Sequence, residues 1–404
     1  MKEPNVTGKY FDYPHITNNV ADEHIAQGAL TNSKRPESFI EGVYPRHFVK
    51  GAQCYLFDEN DNRYIDYLCN LGTNLFGYTH PEIVDAIRDA AVRGVGASLG
   101  SPMEAYFAMK LSEKFPYMQQ FKFLKSGSEG CSAAVRIARA FTGRQEVCSE
   151  GYHGWHDQFV SLTPPARGVP SDPFIYKLPC ELTQHTAAVI VEPVILDFSS
   201  KRREWLERLR EDCTKNGTLL IFDETITAYR FPKYSVANFW GIEPDISVMG
   251  KALANGMPIS VVGGKREIMS CDYFVSSTYA GEQLTIAAAL ACLKLVGNDY
   301  NPERLWEMGS EFIGRFSEAV APIGMEVTGY PTRGGFAGNR DLTALFFQEM
   351  VKAGFFFHPK TWFYNLHLHK HLDDMCAAAK IVCQKILDGE YRLEGLLPLD
   401  PFRR

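Results

Sequence analysis

Between Met118 and Val296, short apolar runs alternate with helical stretches. "FKFL" (121–124), "AAVIVEP" (187–193), "TLLIFDE" (218–224) and "DISVMG" (245–250) each read as a strand buried on both faces. Helical spacing separates them at 129–142, 202–215 and 252–255. This β-then-α alternation predicts a mostly parallel sheet covered by helices, an α/β fold. Upstream, "CYLFDENDNRYIDY" (54–67) holds two β-rich runs around a polar turn, a hairpin signal. "HPEIVDAIRDAAVRG" (80–94) puts Ile83, Ile87 and Ala91 on one helical face, with Pro81 at its start. Residues 1 to about 50 carry Gly8, Pro14, Pro36 and Pro45 and read as an extended arm. From Asn301 the pattern changes to a long amphipathic helix, "ERLWEMGSEFIGRFSEAVA", and a second helix at 372–388. The expected division is an arm and part of a smaller α+β domain (1–70), a large domain (71–298), and the rest of the smaller domain (299–404).

Composition narrows the class. The 404 residues are 45% hydrophobic and 22% charged, as in an ordinary soluble globular protein. The formal charge is -6, and the basic runs Lys201-Arg202-Arg203 and Arg403-Arg404 are short enough to be solvated surface. That excludes a nonspecific phosphate-backbone binder, while a nucleotide-linked or nucleic-acid substrate stays open. The ten cysteines form no C-x-x-C pair, which argues against zinc, against a secreted disulfide framework, and for a reducing, cytoplasmic setting. The polar N-terminus is no signal peptide, and no apolar run is long enough to cross a membrane.

Chemistry collects at strand ends. Open parallel sheets bind ligands at the carboxyl ends of their strands. "FKFL" runs into "KSGSEG" and a helix, "TLLIF" ends in Asp223-Glu224, and "ISVMG" ends in Lys251. Ser126, Gly127 and Ser128 at a helix start make a phosphate cup; the plain alternative is an N-cap with Ser128 as the capping residue. Asp223 follows four apolar residues, so its carboxylate needs a cationic partner, which a protonated pyridine nitrogen provides. A structural Asp bonded to a loop is the alternative. Lys251 reads either as a helix-start lysine reaching solvent or as a nucleophilic amine holding a carbonyl cofactor as a Schiff base. Cup, acid and amine together fit pyridoxal 5'-phosphate, with Lys251 also moving protons. Tyr152 in "GYHGWHD" (151–157) is flat enough to stack on the ring.

With these motifs in order, the chain resembles the class III aminotransferases, fold-type I pyridoxal phosphate enzymes, and within them the glutamate-1-semialdehyde 2,1-aminomutase branch. The likeness rests on "YIDY" (64–67), "GYTHPEI" (77–83), "KSGSEG" (125–130), "GYHGWHD" (151–157), "VEPV" (191–194), "IFDETITAYR" (221–230), "VMGKALANGMPISVVGGKREIM" (248–269) and "SSTYAGEQ" (276–283). It implies a seven-stranded, mostly parallel sheet plus a smaller α+β domain, and a homodimer with shared active sites. It implies cofactor contacts by Ser126, Gly127, Ser128, Tyr152, His153, Glu192, Asp223, Thr225 and Lys251. Thr278 would reach the phosphate of the neighbouring subunit's cofactor.

Departures from that pattern bear on the substrate. Thr225 replaces the valine that packs on the ring, Leu71 stands where a tryptophan is expected, and Asp197 stands near the place of a missing asparagine. Tyr364 aligns with the branch's active-site glutamate, and Arg46 stands at a carboxylate-binding arginine. These changes point away from glutamate semialdehyde. His47, Tyr364, His367 and His369 are pocket-wall candidates; the alternating "HLHKH" reads as a solvated face, not a metal site. The expected function is amino-group transfer or migration on an amine or amino acid. Amino-acid decarboxylation on the same cofactor and a catalytically retired binding subunit are the alternatives.

Overall fold

The structure, a computed structural model, describes residues 18–163, 166, 168–298 and 300–399. Gly8, Pro14, Arg403 and Arg404 lie outside the described residues. The predicted hairpin forms as β2 (Tyr55–Asp58) and β3 (Arg63–Asp66), and an additional strand, β1 (Phe48–Ala52), pairs antiparallel with β2. Asp58 closes the hairpin turn, accepting from the Asn60 and Asn62 backbones, each at 2.9 Å.

A seven-stranded sheet follows: β4 (Gln120–Leu124), β5 (Glu146–Glu150), β6 (Ile175–Lys177), β7 (Thr186–Val191), β8 (Leu219–Glu224), β9 (Ile246–Met249) and β10 (Ser260–Gly264). Its order is β4-β10-β9-β8-β7-β5-β6. β9, β8, β7, β5 and β6 pair in parallel; β10 runs antiparallel to both neighbours, β4 and β9. β4 therefore points the same way as the parallel strands. Every residue of β7, β8 and β9 is buried, as their unbroken apolar runs require. Alternate side chains split cleanly between two cores. Ala188, Ile190, Leu219, Ile221, Ile246 and Val248 face the helix Gly127–Thr142, and Val189, Val191, Leu220, Phe222 and Met249 face the larger core on the other side. "FKFL" departs from expectation: β4 is an edge strand and only Leu124 is buried.

The remaining strands are β11 (Glu326–Tyr330), β12 (Arg333–Ala337), β13 (Phe355–Phe356) and β14 (Thr361–Phe363). β11, β12 and β14 form an antiparallel sheet, while β13 adds in parallel to β3 and so ties the N-terminal hairpin to the C-terminal region. The predicted terminal helices are Pro302–Val320 and Leu372–Leu387, packed on each other. The helix expected at 252–255 is instead a single 3-10 turn, Lys251–Ala254, stopped by Asn255 in a left-handed conformation. Cys148 on β5 and Cys180 form a disulfide, contrary to the reducing pattern expected from spacing; the other eight cysteines are free. No described helix is long and apolar enough to cross a membrane.

Candidate active site

Parallel direction delivers the strand ends to one edge of the sheet. A cavity of about 1560 Å³ opens there. Ser126, Gly127, Ser128, Tyr152, His153, Glu192, Asp223, Thr225 and Lys251 all line it.

Asp223 is the last-but-one residue of β8 and only 4% exposed. Such a carboxylate must be compensated. The Thr225 backbone N–H and hydroxyl donate to its Oδ1 at 3.0 and 2.5 Å. His153 Nδ1 lies 2.8 Å from Oδ2, and the Cys131 thiol 3.3 Å from the same oxygen. The other ring nitrogen of His153 faces the Glu150 carbonyl at 3.0 Å. Burial pushes the Asp223 carboxyl up; the His153 and Thr225 bonds more than reverse it, leaving the group below its usual range. It is a fixed anion facing the cavity.

Lys251 follows β9 and Gly250 and starts the 3-10 turn with φ 47, a left-handed backbone that lysine rarely adopts. Its amine is enclosed by protein yet open to the cavity. Burial lowers its pKa, Asp223 opposes that, and Arg333 adds to the lowering. An amine so placed is more readily neutral, hence nucleophilic.

The cup resolves differently from expectation. Ser126, not Ser128, is the N-cap: its hydroxyl accepts from the Glu129 N–H at 3.2 Å while Glu129 accepts from the Ser126 N–H at 2.9 Å. The first N–H groups of Gly127–Thr142 remain free of intrahelical partners and meet the cavity. Ser128 accepts from the Trp155 N–H at 3.2 Å instead. A Cβ on Gly154 (φ +98) would come within 2.1 Å of the Ser128 hydroxyl, so only glycine lets this loop close over the helix start. Tyr152 lines the cavity and is half exposed. Glu192 is a brace: one oxygen accepts from the Tyr152 N–H at 2.9 Å, the other pairs with Arg333 at 3.1 Å.

Buried acid, nucleophilic amine and an anion-ready helix start fit pyridoxal phosphate in residue type and placement. Fold and site thus define a fold-type I pyridoxal-phosphate enzyme. The family model "Aminotransferase class-III" matches residues 41–179 and 172–338. Glutamate-1-semialdehyde 2,1-aminomutase from Syntrophobacter fumaroxidans is 31% identical, over 84% of this chain and 90% of its own. The Neisseria meningitidis serogroup C enzyme of the same name is 28% identical with the same coverage. Two solved structures share the fold: the FumI protein of Sphingopyxis sp. (TM-score 0.86, 22% identity, 94% of this chain and 97% of that one) and a beta-phenylalanine aminotransferase from Variovorax paradoxus (TM-score 0.79, 24% identity, 92% and 93%). The chain belongs to the class III aminotransferase family, and its cofactor is pyridoxal 5'-phosphate.

Four expected residues fall elsewhere. Tyr364 is fully buried in the aromatic core, 5.1 Å from the Phe312 ring, and does not line the cavity. Side chains alternate along β14, so Thr361 and Phe363 face the cavity while Trp362 and Tyr364 face the core. Phe363, and not Tyr364, is therefore the wall residue. His47, His367 and His369 do not line the cavity either. His367 bonds the Phe76 carbonyl at 3.0 Å, and His369 lies 3.7 Å from Glu311. Arg46 does line the cavity, but Asp22 holds both arms of its fork at 3.0 and 2.7 Å. Thr278 is exposed and outside the cavity of its own chain. Asp197 caps a turn at Ser199.

Sequence reading also missed Arg333 and Arg230. Arg230 is fully buried among carbonyls: Nη1 donates to Tyr364 at 2.9 Å and Thr332 at 3.3 Å, and Nη2 donates to Gly72 at 2.7 Å. Each carbonyl adjoins a cavity-wall residue, namely Phe363, Arg333, or Leu71 and Thr73. The only signal for Arg333 was a cation in a glycine-rich turn, "PTRGG".

Proposed function

We propose that this enzyme moves an amino group between an amine or amino acid and a carbonyl compound, with Lys251 as the nucleophile and proton carrier. The observation that carries the reading is the sharing of one cavity by the Lys251 amine and the fixed Asp223 anion. Pyridoxal phosphate, when bound, supplies an aldehyde carbon and an electron-withdrawing ring. Lys251 would be the residue that holds that aldehyde carbon. The Lys251 amine, when neutral, would take a proton from the substrate carbon and return one, and water would supply the oxygen of the carbonyl compound released. Asp223 would pair with the protonated ring nitrogen, and the His153 and Thr225 bonds keep Asp223 ionised. The helix start at Gly127 and Ser128 would receive the phosphate, and Tyr152 would lie against the ring. Leu71 in place of a tryptophan and the apolar Phe363 in the cavity wall support a substrate other than glutamate semialdehyde. We further propose a homodimer in which Thr278, exposed beside Tyr279, reaches the partner's cofactor. Borohydride reduction of the yellow holoenzyme, followed by peptide mass mapping, tests the core assignment. The added mass is expected on Lys251; its appearance on another lysine overturns the reading.

A further inference from the structure

Among the described residues, the cavity wall carries five cationic side chains: Arg35, Arg46, Lys125, Lys251 and Arg333. Lys251 is taken by the cofactor. Asp22 saturates the fork of Arg46, and Lys125 is held by Glu282 at 2.7 Å and Thr285 at 3.2 Å. Arg35 sits in the arm, with its Nε buried and unpartnered.

Arg333 stands apart. Its side chain is 14% exposed and its charge acts on the Lys251 amine. Its backbone is pinned as the first residue of β12, opposite Phe363 on β14 and Tyr330 on β11. The turn before it closes tightly, since a Cβ on Gly329 would lie 2.4 Å from the Arg333 carbonyl. Glu192 engages it through one nitrogen only, at 3.1 Å. Arg46 and Arg202, by contrast, are gripped at both arms, by Asp22 at 3.0 and 2.7 Å and by Glu150 at 3.0 and 2.6 Å. A guanidinium offers five N–H donors in a plane that matches a carboxylate. Glu192 thus neutralises Arg333 without filling its fork.

We propose that Arg333 receives the carboxylate of the amino donor, which makes the donor an amino acid and not a simple amine. This rests on the reading of Lys251 above. It also moves the carboxylate-binding role from Arg46, whose fork is full, to a residue on β12.

The test uses holoenzyme and follows the change in cofactor absorbance in the first half-reaction. Alanine, β-alanine and 4-aminobutanoate are compared with ethylamine and propylamine. The readout is the ratio of kcat/KM for the best amino acid to that for the best amine, which cancels any loss common to both. The carboxylate is expected to raise that ratio by about 10- to 100-fold. In Arg333→Met/Glu192→Gln, which removes both buried charges together, the ratio should fall to near one. The single Arg333→Lys variant guards against misfolding of the double variant and should give an intermediate ratio. Equal rates for amines and amino acids in the parent, or a ratio unchanged in both variants, overturns the inference while leaving amino transfer standing. If neither kind of donor reacts, amino transfer itself fails and the inference falls with it.

Discussion

Replacing Asp223 with asparagine isolates one charge. Asparagine keeps the shape and leaves an oxygen for the Thr225 N–H and hydroxyl, so the loop after β8 stays closed. What disappears is an anion that is 4% exposed and aimed into the cavity. Taking one member from a buried, hydrogen-bonded ion pair costs about 3–5 kcal/mol. If that loss falls on the transition state, where the ring carries most charge, kcat/KM drops roughly 10²- to 10⁴-fold. Stopped-flow absorbance of the holoenzyme with an amino donor measures the first half-reaction directly. Borohydride labelling at Lys251 should persist in Asp223→Asn, showing that the cofactor still binds. A labelled Asp223→Asn enzyme with kcat/KM within about fivefold of the parent would refute the assignment of Asp223 to the ring nitrogen.

Other outcomes follow from geometry already given. Gly154→Ala places a Cβ against Ser128 in a left-handed backbone; at about 1–3 kcal/mol of strain, cofactor affinity by fluorescence titration should fall roughly 5- to 150-fold. Arg230→Met leaves buried carbonyls without their cationic donor, so calorimetry should show a destabilisation of about 3 kcal/mol or more. Asp245 accepts from Arg210 and Lys265, each at 2.7 Å, and from the Leu220 N–H at 2.8 Å. Burial raises its pKa, but these partners bring it below the usual value. Its ionic contribution is therefore complete above the ordinary carboxylate pKa of about 3.9 and is lost as pH falls through the lower folded value. The Tm gap between parent and Asp245→Asn should be wide at neutral pH and shrink in acid; a constant gap counts against it.

Much of the sheet was legible because its strands are buried on both faces and so are written as unbroken apolar runs. The ends of those runs carried Asp223 and Lys251, and parallel direction did the rest. β10 escaped because "PISVVGG" returns antiparallel to β9 after a single 3-10 turn, outside the β-then-α alternation. Tyr364 was misplaced because β14 is short, and a slip of one residue exchanges wall for core. Ser128 was mistaken for the cap because both serines suit the role; only the reciprocal bond with Glu129 decides it for Ser126. Arg333 had only the weak local signal of its glycine-rich turn, since its partner Glu192 is 141 residues away.

Arg230 has a consequence beyond stability. By clasping the chain at Gly72, Thr332 and Tyr364, it makes one panel of three segments that would otherwise drift separately. Hinged opening at that side of the chamber would require unfastening a cation from every carbonyl at once. Changes in what the chamber accepts should therefore come by exchanging the panel's facing residues, Leu71, Arg333 and Phe363, and not by relaxing its frame.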